Sequence, residues 1–258
     1  MSERGGSGPS GSGPPRASTE PLARSPIAPA PPVTVVAGWE VSGRRASADP
    51  VVGLTITDCT PLTKVQLRAP AAGGAAAALG VPFGRAARNP AGMLVAGSGP
   101  GEWLVIASPG QGRQLTAWLA RLAARAQDEP VTAVDLTHGR ALIRLTGSRS
   151  ADVLAKVCGI DLSDDITPDG AAFRSSVAAL ATDVIRDDLG GQPGAAAQPA
   201  QPGAAAQPGQ SARPGQPGRG RSYLLHCERS SGQYLFDVLL RSGAEFGIEI
   251  DGFEPPGI

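Results

Sequence analysis

Lysine is almost absent from this sequence: only Lys64 and Lys156 stand among its 23 basic residues. Arginine in place of lysine, with abundant alanine, glycine and proline, is the bias of a GC-rich genome, so we interpret it as a mark of the source rather than of a partner. Acidic and basic residues balance to a formal net charge of zero. Because a nucleic-acid groove usually needs a clear positive balance, the composition argues against a nucleic-acid partner.

Cysteine and long apolar runs are also scarce. Three cysteines, Cys59, Cys158 and Cys227, do not make a disulfide framework, and no secretory signal precedes them. The longest uninterrupted apolar runs are far too short to span a bilayer. We therefore expect a reduced, cytoplasmic protein that does not enter a membrane.

Two stretches lack the apolar side chains that a folded domain needs. Residues 1–32 are rich in Gly, Ser and Pro, and the segment 189–221 carries the octapeptide QPGAAAQP twice. Such segments cannot bury enough apolar area to offset their ordering entropy. We predict a disordered tail over 1–50, a folded domain made of 51–188 and 222–255, and a disordered insert over 189–221.

Apolar periodicity in the first half of the domain predicts two helices and four strands in the order β-α-β-β-α-β. The predicted strands cover 64–68, 93–96, 103–107 and 131–135, and the predicted helices cover 75–79 and 113–126. In the first strand, alternation places Val65 and Leu67 on one face and the polar residues, Lys64 among them, on the other. Gly80 ends the first helix.

The second half repeats this order. The predicted elements are a strand at 140–145, a helix from Ser148 or Ser150 to Gly159, extended runs at 173–186 and 222–227, a helix that begins at Ser230 or Ser231, and a strand at 248–250. On the second helix we expect Tyr234, Leu235, Val238 and Leu239 to share one side. The sequence therefore predicts an α+β fold of two tandem ferredoxin-like units that share an interface. The insert falls between the two middle strands of the second unit, where a longer loop costs little.

The two histidines suggest two reactive arrangements, each with a plainer alternative. His226 stands beside Cys227, but neighbours in a strand point to opposite faces, and no further ligands occur at zinc-site spacing. Asp135 and His138 could form a dyad at a strand end, although a turn capped by Asp135 is the favoured interpretation. The sequence has no GxSxG elbow to supply a serine nucleophile.

The candidate anion and cation sites also have plainer alternatives. The glycine-rich loop 97–101 is a candidate for phosphate binding, but it leads into a strand and no Walker lysine follows, so a turn is favoured. The acidic residues Asp161, Asp164, Asp165 and Asp169 lack the spacing and the terminal Glu of a calcium loop, which favours a solvated connection. No GxGxxG motif opens a helix, so a dinucleotide is not held in the Rossmann manner.

Four other residues have a reactive and a plain interpretation. Cys158 is most simply a small buried apolar residue. Arg140, Arg144 and Arg174 could bind an anion or the carboxylate of a partner, although an exposed strand face is favoured. We therefore predict no catalytic, cofactor-binding or metal-ligating residue on this chain.

Several segments, taken together, resemble the gamma subunit of the heterotetrameric sarcosine oxidase family. They are KVQLRA at 64–69, GEWLV at 101–105, VDLTHGRA at 134–141, LTG at 145–147 with ADVL at 151–154, GIDL at 159–162, and ERS at 228–230 with YLF at 234–236. Their order and spacing match over most of the predicted domain. The chain departs from the family at 166–170 and at Arg174 and Ser175, and its insert and long tail are additional.

The resemblance implies a fold like the folate-binding domain of glycine-cleavage T-protein. It also implies an assembly with alpha, beta and delta subunits, mainly with the large alpha subunit. Such a complex oxidises sarcosine to glycine, produces hydrogen peroxide and can pass the one-carbon unit to tetrahydrofolate. The resemblance places FAD, FMN, NAD, tetrahydrofolate and zinc on the partner subunits and no cofactor on this chain.

Two other functions stay open. A stand-alone folate-binding protein of the T-protein superfamily could transfer one-carbon units or act in iron–sulfur maintenance. The relatives of the latter type carry a Lys-Gly-Cys motif, which the sequence at 156–159 does not match. A scaffold that recruits a ligand through the insert is the third possibility, although the insert has no aromatic or charged pattern that suggests a ligand.

Overall fold

A computed structural model describes residues 22–43, 54–126, 129–188 and 220–255. No helix within these four ranges is long and apolar enough to cross a membrane. Most of the predicted tail and of the predicted insert lies outside the described residues. The exceptions are residues 22–43 of the tail and Gly220 and Arg221 of the insert.

The described residues form fourteen strands and four helices. The strands are β1 (Ala23–Arg24), β2 (Val33–Val36), β3 (Trp39–Ser42), β4 (Leu54–Asp58), β5 (Thr63–Arg68), β6 (Ala86–Arg88), β7 (Leu94–Gly99), β8 (Glu102–Ala107), β9 (Thr132–Asp135), β10 (Arg140–Gly147), β11 (Ala172–Val177), β12 (Leu180–Arg186), β13 (Ser222–Glu228) and β14 (Glu249–Asp251). The helices are α1 (Gly74–Leu79), α2 (Gly112–Arg125), α3 (Ser150–Ala155) and α4 (Gly232–Gly243).

The first predicted unit is present as a five-stranded sheet in the order β6-β7-β8-β5-β9. Its four predicted strands have the neighbour order of a ferredoxin-like unit, and all their pairings are antiparallel. Helix α1 ends, as predicted, at Gly80, whose left-handed backbone (φ 65°) directs its N–H to the carbonyl oxygen of Ala76. Helix α2 buries Leu115, Leu119 and Leu122 against one face of the sheet.

The second unit is a six-stranded sheet in the order β11-β12-β13-β10-β4-β14. Strand β4, which precedes the first unit in the chain, lies between β10 and β14 and pairs with β14 in parallel. The predicted α+β class is confirmed, but the sequence interpretation did not include this inserted strand. The alternation of Leu54 and Ile56 with two threonines is the sequence signal that could have revealed β4, and these two apolar residues are buried in the structure.

The two sheets pack face to face, and each carries helices on its outer face. One core cluster joins side chains of both sheets, such as Leu104 and Ile106 with Leu142 and Leu224. A second cluster fills the space between the six-stranded sheet and α3 and α4, and a third lies under α1 and α2. Both sheets are therefore covered on both faces, which explains why β8, β10 and β13 read as continuous apolar runs rather than as alternating strands.

The predicted tail is wrong for residues 22–43, which form a three-stranded sheet in the order β1-β3-β2. Ile27 is buried in the core beside α4, and Trp39 and Val41 are buried between the two large sheets. Burial of these few large apolar residues against the rest of the fold stabilises the segment. The composition of the tail alone therefore led to the wrong prediction of disorder.

Helix α4 buries Leu235 and Leu239, two of the four residues that were predicted to share one side. The prediction is wrong for Tyr234, which is half exposed and whose hydroxyl donates to the carbonyl oxygen of Ala178 at 3.4 Å. The buried stripe faces the core of the six-stranded sheet, so it includes Phe236 instead.

The run predicted as one extended segment over 173–186 is a hairpin of β11 and β12. Its two-residue turn, Ala178 and Ala179, has positive φ values of 49° and 64° at both alanines. A turn of this kind matches the twist of the strands, but both central residues must adopt the left-handed conformation that favours Gly and Asn. Because neither Gly nor Asn stands at these positions, the turn could not be recognised from the sequence.

Replacing Ala179 with glycine is expected to raise the free energy of unfolding by up to about 1 kcal/mol, because glycine adopts φ 64° without steric cost. The matched control is Ala181→Gly in β12, where a strand glycine is expected to lower stability by about 0.5–1 kcal/mol. Urea denaturation of both variants measures the two changes. A loss of stability in Ala179→Gly would contradict the inferred strain.

Candidate functional site

The layer between the two large sheets holds most of the buried charged side chains. They come from both sheets and form three groups, centred on Lys64, on Asp183 and on Asp187. Buried charges are costly unless they are paired and hydrogen-bonded, so their partners decide what this layer can do.

Lys64 is fully buried, although the pattern of its strand predicted a polar face. Its Nζ donates to the carbonyl oxygens of Thr60 at 2.6 Å and Leu62 at 2.8 Å. Asp58, at the end of β4, is also buried, and one of its carboxylate oxygens accepts from the backbone N–H of Thr60 at 3.0 Å. The alternation of β5 was correct, but the second face is not solvent because the other sheet covers it.

Burial shifts both of these ionisable groups toward their neutral forms. Burial lowers the pKa of Lys64 to about 7, against the opposing charges of Asp58 and neighbouring groups. Burial also raises the pKa of Asp58, against hydrogen bonds from Ser25 and Thr60 and the charge of Lys64. A lysine of this kind can act as a base or nucleophile where substrate reaches it. Here its nitrogen is occupied by two carbonyl oxygens and has no solvent exposure.

The second group is a chain of four ionisable side chains that runs from one sheet to the other. Nδ1 of His226 lies 3.0 Å from a carboxylate oxygen of Asp183, and the other oxygen accepts from Nε of Arg174 at 2.6 Å. Arg174 then reaches Glu102 of the five-stranded sheet at 2.7 Å. The antiparallel register sets His226 directly opposite Asp183, which no sequence spacing reveals.

The electrostatics of this chain favour a neutral histidine and an ionised carboxylate. Burial lowers the pKa of His226, although the hydrogen bond and charge of Asp183 oppose it. Burial raises the pKa of Asp183, but the hydrogen bonds from His226 and Arg174 outweigh it and leave that pKa below its usual range. A carboxylate–imidazole pair serves catalysis only when the second ring nitrogen reaches a reacting group. Nε2 of His226 is buried and has no hydrogen-bond partner among the described residues.

The third group centres on Asp187. Its carboxylate accepts two hydrogen bonds from Arg88 of the five-stranded sheet, at 2.8 and 2.7 Å, and one from Arg144 of β10 at 3.0 Å. Arg144 also donates to the hydroxyl of Ser222 at 2.8 Å. The second and third groups therefore both link one sheet to the other through arginine–carboxylate pairs.

The structure separates the histidine pairs that the sequence suggested. His226 faces the other sheet and Cys227 faces the helices, as alternation predicted. Asp135 accepts from the backbone N–H of Thr137 at 2.8 Å, which is the favoured turn cap. The ring of His138 stacks on Trp39, with 4.8 Å between centroids and 8° between planes.

The loop and acidic candidates have local structural roles. Residues 97–101 form the end of β7, with its bulge, and the turn that leads into β8, in agreement with the favoured interpretation. Asp161 caps the backbone N–H of Ser163 at 2.9 Å, and Asp164 pairs with Arg186 at 2.5 Å and with Arg221 at 3.0 Å. Asp169 accepts from the backbone N–H of Asp188 at 2.9 Å. No group of three or more His, Cys, Asp or Glu side chains is placed to hold a metal ion among the residues that the structure describes.

The arginines that were considered as anion sites are all paired within the chain. Arg140 pairs with Glu228 at 2.8 Å on the surface, and Arg174 with Asp183 and Glu102. The expected exposed face is wrong for Arg144, which is buried against Asp187. Cys158 is buried in the core cluster beside α3, as its plain interpretation predicted.

Two grooves lie on the surface of the described residues. The larger, of about 460 Å³, is lined mainly by alanine and glycine of α1 and the neighbouring turns, with Trp103 and the exposed Phe83. The smaller, of about 300 Å³, runs along 24–29 beside Glu40. None of the described residues that line the larger groove is charged.

Comparisons with known proteins support the fold. No protein-family model and no curated protein matches the sequence. Among solved structures, a chain of heterotetrameric sarcosine oxidase from Corynebacterium sp. U-96, in complex with pyrrole 2-carboxylate, is 21% identical with a TM-score of 0.54, over 77% of this chain and 87% of that chain. The glycine cleavage system aminomethyltransferase T from Bartonella henselae is 14% identical with a TM-score of 0.55, over 85% of this chain and 55% of that chain.

These similarities define the class of the fold. The chain has a mixed α+β fold similar to those of the sarcosine oxidase chain and of the T-protein. It spans only about half of the T-protein chain, so the likeness to that enzyme concerns a part of it.

Proposed function

We propose that this chain is the non-catalytic gamma subunit of a flavin-dependent heterotetrameric sarcosine oxidase. Its role in this proposal is to support the large subunits that carry the flavins and the folate site. The single observation that carries the proposal is the extent of the structural match. The aligned region is most of this chain and most of the matched sarcosine oxidase chain, so the two are of similar length.

The burial of the charged side chains agrees with a structural role for this chain. Lys64, His226, Asp183 and Asp187 are the side chains best suited to chemistry, and all are buried in the contact between the sheets. There they hold two sheets in one orientation, which fixes the outer surfaces that partners would bind. In the proposed complex, FAD, FMN, NAD, tetrahydrofolate and zinc belong to the alpha, beta and delta subunits, mainly the large alpha subunit, and the whole is cytoplasmic.

Reconstitution tests the proposal. The chain is produced together with the proposed alpha, beta and delta subunits, and bound flavin and sarcosine-dependent hydrogen peroxide are measured. We expect co-purification and an active complex, and a loss of assembly or activity when this chain is omitted. Full activity of the other subunits without this chain, unchanged when it is added back, would contradict the supporting role.

A stand-alone folate-binding protein is the second candidate, and the 85% coverage of this chain by the T-protein match favours it. Titration of the isolated chain with tetrahydrofolate, followed by calorimetry, separates the two functions. Micromolar binding by the chain alone would favour the folate-binding protein. Binding only in the presence of the large subunits agrees with the oxidase subunit.

A further inference from the structure

Among the residues that the structure describes, strand β2 has one open edge. It pairs there with β3 on one side only, at the end of the three-stranded sheet. Its sequence, Val-Thr-Val-Val, carries no charge, and Val33 and Val35 are 51% and 54% exposed. Proteins usually guard such an edge with lysine, proline or a bulge, because an open edge can pair with another strand.

The hydrogen-bond pattern shows which backbone groups face outward. The N–H of Gly43 bonds to the carbonyl oxygen of Pro32, so the pair of residues 32 and 43 is a hydrogen-bonded one. Such pairs alternate in an antiparallel ladder, so Thr34 and Val36 also bond toward β3. The N–H and C=O groups of Val33 and Val35 therefore point away from β3.

The open edge of β2 can pair with the same edge of a second copy of the chain. A two-fold axis through Thr34 sets Val33 of one copy opposite Val35 of the other, and the two residues exchange both hydrogen bonds in each of the two pairs. All outward groups of both strands are then used. The four valines meet on one face of the sheet, and no like charges are brought together.

The edge is held in place before any pairing. Trp39 and Val41 of β3 are buried in the main core, and the N–H of Phe253 bonds to the carbonyl oxygen of Ser42 at 3.0 Å. Arg24 and Glu40, the charged residues on the same small sheet, pair with each other at 2.7 Å. A preformed, neutral edge loses little freedom when a second strand adds to it.

We propose that β2 is a self-association edge, which pairs antiparallel with β2 of a second copy of this chain about Thr34. The result is one continuous sheet in the order β1-β3-β2-β2-β3-β1 across two copies. A four-residue strand buries far less surface than a stable dimer needs, so the dimer forms at high protein concentration and dissociates on dilution. This pairing does not depend on the proposed function.

The register is tested by cross-linking the full chain with Thr34→Cys. Facing residues at the non-hydrogen-bonded centre have Cα atoms about 4.5 Å apart, within the range of a disulfide. The native Cys59, Cys158 and Cys227 are buried, so the new thiol is the accessible one. We expect Thr34→Cys to form a disulfide-linked dimer under mild oxidation. The matched variant Val33→Cys should not, because its two copies lie more than about 7 Å apart.

Sedimentation velocity over a range of concentrations gives the independent measurement. The unmodified chain should show reversible dimerisation, and Val35→Lys should abolish it by placing charge at the pairing edge. Val134→Lys is the control, because Val134 is 47% exposed on the edge strand β9 and lies outside the proposed contact. A monomer at all concentrations, equal loss in both lysine variants, or cross-linking through Val33→Cys would each overturn the proposal. Circular dichroism confirms that each variant is folded.

Discussion

Replacing Asp187 with alanine is expected to lower the free energy of unfolding by about 3–5 kcal/mol. The change removes the carboxylate that accepts from both Arg88 and Arg144. Arg144 then stays buried without that counter-charge, and the cost of an uncompensated buried charge exceeds the attraction that is lost. The bond to Arg88 also joins the two sheets, so their contact is weakened at the same time. Denaturation with guanidinium chloride, followed by circular dichroism, measures the change.

An exposed ion pair provides the control. Asp152 and Arg149 pair at 2.9 Å, but each side chain is about half exposed. Asp152→Ala is expected to change stability by at most about 0.5 kcal/mol, because solvent screens such a pair. The double variant Arg144→Met/Asp187→Leu should be more stable than Asp187→Ala, since it also removes the buried charge of Arg144. A loss in Asp187→Ala no larger than that in Asp152→Ala would contradict the role given to Asp187.

Stability is expected to rise between pH 7 and pH 9 through Lys64, and Lys64→Met is expected to lose this rise. Burial lowers the pKa of Lys64 to about 7 in the folded protein, whereas an unfolded lysine titrates near 10.4. Between these values the unfolded chain binds a proton that the folded chain does not, so the free energy of unfolding increases with pH. The slope is at most about 1.4 kcal/mol per pH unit, which amounts to about 2 kcal/mol over this range.

Below pH 7 both states carry the proton on Lys64, and the destabilising cost of its burial is fully present. Below pH 7 the free energy of unfolding should therefore change with pH at nearly the same rate in the unmodified chain and in Lys64→Met. Above pH 7 the two rates should differ strongly. Lys156→Met is the matched control, since Lys156 is the other lysine and is partly exposed at a surface ion pair with Glu245. A pH slope that is unchanged by Lys64→Met, or lost equally in Lys156→Met, would contradict the shifted pKa.

Elements with a strong local period were predictable from the sequence. The α2 stripe of Leu115, Leu119 and Leu122 and the glycine that ends α1 are set by short-range geometry, so a single segment contains the whole signal. Strand β4 and the alanine turn between β11 and β12 were missed. Strand β4 is short and takes its place in the sheet from the distant strand β10, whereas the alanine turn has neither Gly nor Asn to mark it.

The buried charges were only partly predictable. The scarcity of lysine singled out Lys64, but its strand pattern assigned it to a polar face. Asp183, Asp187 and Glu102 had no recognisable motif, because their partners lie 9 to 99 residues away in the chain. The sequence interpretation considered Asp135 with His138, whereas the structure joins Asp183 with His226 through the register of β12 and β13.

The amino-acid sequence was sufficient to predict the α+β class, the order of the periodic helices and strands, and the plain roles of Asp135, Cys158 and the loop 97–101. These follow from local conformational preference and from the period of apolar residues. The folded structure was needed to see that a second sheet covers the polar face of β5, that 22–43 is folded, and which carboxylates lie near Lys64, Arg144 and His226. Pairing between strands and packing of one sheet on the other bring together residues whose separation in the chain carries no periodic signal, so these contacts exist only once the chain is folded.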